Sequence, residues 1–79
     1  MKIPRNLSGK DLVKKLKKLG YEPTRQVGSH IRLTTLENGT HHITIPEHKP
    51  LKIGTLSSIL KDVAEHFKIS REELLVLLF

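Results

Sequence analysis

His30 is the residue of this sequence best suited to chemistry. It follows Gly28 and Ser29 and opens a run to Thr35 in which Ile31 and Leu33 alternate with His30, Arg32 and Thr34, the spacing of a strand with one face in a core. Histidine exchanges protons near neutral pH, and such exchange contributes about 10²–10⁴-fold to a reaction. An imidazole with a guanidinium two residues away on the same strand face suits cleavage of an RNA phosphodiester by its own 2′-hydroxyl. That reaction needs a proton acceptor, a proton donor to the leaving oxygen and positive charge beside the phosphate; it needs no metal. Gly28 permits close approach of the backbone, and the hydroxyl or amide of Ser29 is placed to hold a phosphate oxygen. The same histidine reads equally well as an exposed strand residue bonded to a loop carbonyl, and its type and position leave both readings open.

The other candidates are cationic. His41 and His42 are adjacent on a second alternating run and point to opposite faces, so they cannot chelate one ion together. His42 shares the face of His30 and is expected to touch RNA or to carry a second proton. His30, His42 and His48 could approach one zinc ion, but no cysteine or carboxylate is placed to help, so neither a metal site nor a cofactor is expected. Lys10, Lys14, Lys17 and Lys18 lie on one side of the first helix and form either a solvated surface or a track for phosphates. Fourteen Lys and Arg against eight Asp and Glu give a formal net charge of +6 over 79 residues, a field that attracts phosphate backbones. One Tyr, two Phe and no Trp argue against a base-stacking platform.

The elements that must position these residues follow from periodicity. Ser8-Gly9-Lys10-Asp11 is a weak form of the capping box, and Leu12, Val13, Leu16 and Leu19 form the apolar stripe of a helix that Gly20 ends. A short strand from Tyr21 to Val27, with Pro23 in it, belongs at a sheet edge. Asn38-Gly39 turns the chain into a strand from His41 to Ile45, stopped by Pro46. Gly54-Thr55 opens a second helix with the stripe Leu56, Ile59, Leu60, Val63 and Phe67. Ser70 to Glu73 caps a third, whose apolar end, Leu74 to Phe79, closes the core or forms a contact surface. The expected architecture is α+β in the order α-β-β-β-α: an antiparallel three-stranded sheet with helices on one face, an extra short helix at the end, and one domain over residues 1–79. The other sheet face is left to water, carrying His30, Arg32, His42 and Thr44. No apolar run follows Met1-Lys2 and no stretch approaches a membrane span, so a soluble cytoplasmic protein without membrane partners is expected. The lack of cysteine agrees with that compartment.

These residues, taken in order, resemble the HicA toxin family. The likeness rests on Leu16 to Gly20, Tyr21, Arg25-Gln26-Val27-Gly28-Ser29-His30, Asn38-Gly39, Thr44-Ile45-Pro46, His48, and Gly54-Thr55-Leu56 with Ser58-Ile59-Leu60. It implies a fold similar to double-stranded-RNA-binding domains, endoribonuclease activity on messenger RNA, His30 as the catalytic residue, and neutralisation by a HicB antitoxin. The chain departs from the family pattern at Ile31, where many members have a second histidine or an aromatic residue, and in a longer tail around Glu65-His66-Phe67-Lys68. A non-catalytic RNA-binding module on the same open face is the rival reading. The oligomeric state of the free chain is not legible in the sequence.

Overall fold

The computed structural model describes residues 3–79. Helix α1 (Gly9–Leu16) is followed by a 3-10 turn (Lys17–Leu19), strands β1 (Glu22–Val27), β2 (His30–Thr35) and β3 (His41–Pro46), and helices α2 (Ile53–Phe67) and α3 (Arg71–Leu78). The strands form one antiparallel sheet in the order β1-β2-β3, giving the α+β arrangement expected from the sequence. The helices cover one face. Ile31, Leu33, Ile43 and Ile45 point into the core beneath them, with Leu12, Leu16, Leu56, Leu60 and Val63 from α1 and α2.

Local chemistry explains most boundaries. Ser8 accepts from the Asp11 amide while the Asp11 carboxylate accepts from the Ser8 amide, so the first capping box closes in full. The Ser8 hydroxyl and the Ser8 amide, with Lys14 and Lys49 nearby, hold the Asp11 carboxyl below the usual carboxylate range. α1 runs straight into the 3-10 turn, and Gly20, in the left-handed region, closes it: its amide bonds the Lys17 carbonyl, and the Tyr21 amide reaches back to Leu16. Ser70 and Glu73 repeat the capping box at α3. α3 closes the core with Leu74, Leu75 and Leu78 but leaves Val76 and Leu77 exposed at 67% and 51%.

Strand β1 begins one residue later than expected, because Tyr21 turns inward and is fully buried. Its phenol lies 2.7 Å from His41 Nδ1. His41 Nε2 faces the Asp62 carboxylate at 3.6 Å and so carries the ring proton, which leaves Nδ1 to accept from the tyrosine. The His41 ring stacks on His66 at 4.4 Å. His66 Nε2–H donates to the Glu37 carbonyl, and the Asn38 amide donates to the His66 carbonyl, tying the β2–β3 turn to the end of α2. Asn38 and Gly39 both take positive φ there, as the Asn-Gly pair foretells. His41 and His66 are thus structural histidines, and His41 and His42 do point to opposite faces.

Burial, reinforced by Asp62, holds the Tyr21 phenol well above its ordinary range. An unfolded tyrosine ionises near pH 10 whereas this one stays protonated in the fold, so its contribution is complete below that pH and is lost as pH rises above it. Tyr21→Phe should cost about 1 kcal/mol at neutral pH by leaving His41 Nδ1 without its donor. In urea denaturation the variant should also show a shallower decline of stability above pH 10 than the parent chain.

Candidate functional site

Strand β2 alternates as the sequence suggests: Ile31, Leu33 and Thr35 are buried, while His30 and Arg32 are exposed. Cross-strand register extends this face in rows. Val27, His30 and Pro46 form the row nearest the β1–β2 turn; Arg25, Arg32 and Thr44 form the next; Glu22, Thr34 and His42 form the far one. A bulge between Pro23 and Arg25 brings Thr24 onto the far row, where its hydroxyl lies 3.0 Å from that of Thr34.

The middle row sets the electrostatics. Arg25 lies directly across from Arg32, with β-carbons about 4.5–5.5 Å apart for such a pair. Like charges so placed oppose folding, and among the described residues neither guanidinium has a hydrogen-bond or ion-pair partner. An anion between them would remove the repulsion and supply the acceptors that their planar donor forks match. His30 stands one row away on the same face and likewise has no partner among the described residues.

The turn that delivers His30 has two residues. Val27 pairs with His30 across Gly28 and Ser29, and Gly28 has φ of 58° with open space where a side chain would stand. Glycine with positive φ at the first central position is the requirement of the hairpin turn that matches strand twist. Gly28 therefore serves the turn geometry, rather than only the approach of a ligand. The Ser29 carbonyl is taken by the Glu47 amide. Because a two-residue turn puts its flanking residues on one face, recognising it in the sequence would have revealed Arg25, which was not among the expected site residues.

Other expected contacts are dispersed. His42 is on the open face, but its Nδ1 is 2.8 Å from the Thr34 hydroxyl. It lies four residues along β3 from the partner of His30, about 13 Å at strand spacing. Proton transfer needs hydrogen-bond reach, about 2.6–3.2 Å, so the two histidines do not serve one phosphate. Lys10 and Lys14 on α1 and Lys17 at the start of the 3-10 turn lie around the β1 edge from His30, where a groove of about 260 Å³ separates them from Pro23 and Gln26. A second groove, of about 390 Å³, joins Lys10 and Lys14 to His48 and Lys49. Lys10 pairs with Glu47 at 3.2 Å, and the Lys18 ammonium donates to the Leu78 carbonyl at the end of α3. Lys14 and Lys17 have no hydrogen bond or close ion pair among the described residues, though Lys14 lies near the Asp11 carboxylate. Among those residues no group of three or more His, Cys, Asp or Glu could hold a metal ion, and no helix is long and apolar enough to cross a membrane.

The run Arg25 to His30, one of the fragments that resemble a known family, forms the end of β1, the turn and the start of the exposed face. The profile described as HicA toxin of bacterial toxin-antitoxin matches residues 9–64, from the start of α1 to the last turns of α2. The chain belongs to the HicA toxin family. It is thus a toxin of a toxin–antitoxin system, and such a toxin has an antitoxin partner. The match contains His30, both arginines and all three strands. No curated protein and no solved structure shows significant similarity to the chain.

Because Arg25 and Arg32 repel each other in the free protein, Arg25→Gln and Arg32→Gln should leave the thermal midpoint unchanged or higher. If the arginine row takes RNA phosphates, each should also lower the slope of log K for RNA against log salt by about 1. Thermal melts and fluorescence titrations over a range of salt check both. An unchanged slope would place the phosphates elsewhere.

Proposed function

We propose that this HicA-family toxin is an endoribonuclease that cleaves messenger RNA without a metal, with His30 exchanging the proton and Arg25 and Arg32 holding the phosphate. The observation that supports it most is the unpartnered His30 one row from an unpaired cross-strand arginine pair on an exposed sheet face. In the reaction the 2′-oxygen attacks phosphorus as its proton leaves, a 2′,3′-cyclic phosphate forms, and the 5′-oxygen departs as it gains a proton. His30 serves one end of this exchange and water the other, since His42 is out of reach. The arginines cannot move protons, being charged at all working pH, but they stabilise the negative charge that builds on the phosphoryl oxygens.

Gly28 and Ser29 present His30, and the Ser29 hydroxyl is the nearest neutral donor along the chain. His42 and Thr44 meet the RNA farther along the face. Lys14 and Lys17 draw the backbone round the β1 edge. Lys10 and Lys18 contribute less, because each already has a partner in the chain. A HicB-type antitoxin neutralises the activity by covering the open face. The whole chain acts as one domain, in the cytoplasm.

His30→Ala removes an exposed side chain and creates no core cavity, so the variant should keep the parent circular dichroism while losing cleavage. Parent activity should survive EDTA and leave 2′,3′-cyclic or 3′-phosphate ends, and a 2′-deoxy sugar at the cut site should block it. Loss in EDTA with recovery on one added ion, or cutting of the deoxy substrate, would overturn the mechanism. RNA binding without cleavage by the parent chain would leave the rival reading, a non-catalytic binding module.

A further inference from the structure

The hairpin tip that carries His30 has little apolar support. Every residue of β1 is exposed, and nothing packs where a Gly28 side chain would be. Pro46 lies opposite His30 and has no N–H to give, so β3 holds this end of β2 through the next residue. The Glu47 amide donates to the Ser29 carbonyl. The Gln26 side-chain amide donates to the Gly28 carbonyl at 3.1 Å and to Glu47 Oε2 at 2.9 Å. Glu47 Oε1 lies 3.2 Å from the Lys10 ammonium on α1. Both carbonyls of the turn are therefore held by groups that converge on one residue, which also ties the tip to α1.

We propose that Glu47 is a positioning residue: through Gln26 and its own amide it fixes the Gly28-Ser29 turn, and so the place of His30 against the scissile phosphate. The proposal rests on the reading of His30 as the proton-exchanging group. Of its interactions, the ion pair is the expendable one. Lys10 is 71% exposed at its side chain, and such pairs contribute little. The acceptor for Gln26 matters more, because without it the Gln26 amide is free to leave the Gly28 carbonyl. Glu47 itself does not touch the reacting face. It follows Pro46, the last residue of β3, and its carboxylate turns towards Lys10 on α1.

The test separates charge from acceptor. Glu47→Gln keeps a carbonyl oxygen for Gln26 and should cleave within about twofold of the parent, whereas Glu47→Ala should lose about 10-fold to 10²-fold in kcat with KM little changed. Gln26→Ala, at an exposed edge position, should reproduce the Glu47→Ala loss, and it decides the matter if Glu47→Ala fails to fold. Amide ¹⁵N relaxation on the full chain gives a readout independent of RNA. Order parameters at Ser29 and His30 should fall in Glu47→Ala and Gln26→Ala and stay at parent values in Glu47→Gln. Equal losses in the Gln and Ala variants, or parent kcat and parent relaxation in Glu47→Ala, would overturn the proposal. A His30→Ala variant measured alongside keeps the two ideas apart. If it still cleaves, the catalytic reading fails while the relaxation data still decide whether Glu47 orders the turn.

Discussion

Everything proposed for this surface depends on the register between β1 and β2. The two-residue turn at Gly28-Ser29 pairs Val27 with His30, and that pairing fixes Arg25 opposite Arg32. Side chains alternate with a period of two, so a slip of one residue would send Arg25 to the helix side and bring Gln26 to the open one. On β2 the register is secured by the core: Ile31 and Leu33 must be under the helices, which leaves His30 and Arg32 in water. On β1 there is no such anchor, since all of its residues are exposed. The demand of Gly28 for positive φ therefore does for β1 what apolar burial does for β2.

This difference explains what could be read in advance. The alternation in β2 and β3, the apolar stripes of α1 and α2, and the capping boxes at Ser8 and Ser70 are local patterns, and the structure follows them closely. The inward turn of Tyr21 was not local. Its phenol is drawn in by His41, a partner two strands away, and its ring packs edge-on against Phe67. Lys10 and Lys18 looked identical to Lys14 and Lys17 as members of one polar helix face. What separates them is Glu47 and the Leu78 carbonyl, both distant in sequence, and no periodicity encodes such pairings. Arg25 is the intermediate case. Its place follows from counting outward from a turn, once Gly-Ser is recognised as a turn and not only as the start of a strand.

The histidines show the same division between local and tertiary causes. Five of them are scattered through the chain, and their type alone would nominate each for chemistry. His41 and His66 are spent on structure: one accepts from a buried phenol and the other caps a turn, and the two stack. His42 is held by Thr34. His30 is left as the one on the open face without a partner among the described residues, beside charges that fold at a loss. A polar group kept exposed and unpaired, next to a repulsive pair that the fold tolerates, marks a surface arranged for something outside the chain.

The same repulsion constrains the protein partner that a toxin of this kind requires. A surface that merely covered Arg25 and Arg32 would strip water from two charges with no intramolecular acceptors, and an unpaired buried charge is strongly destabilising. A covering partner must therefore bring acceptors to the arginine row, as the RNA phosphate proposed above would, or leave that row wet and close the face elsewhere. In the first case partner and the proposed RNA would compete for the same donors, so exclusion would follow from chemistry as well as from shape. β1 adds a second reason to expect a charged approach. It is an edge strand, which its partner could extend by pairing with the backbone, yet Pro23 and the bulge at Thr24 interrupt the outer ladder just beside Arg25. Backbone pairing along that edge is thus limited to short stretches. The arginine row, rather than the strand edge, is the feature through which charge complementarity can set the orientation of whatever docks there.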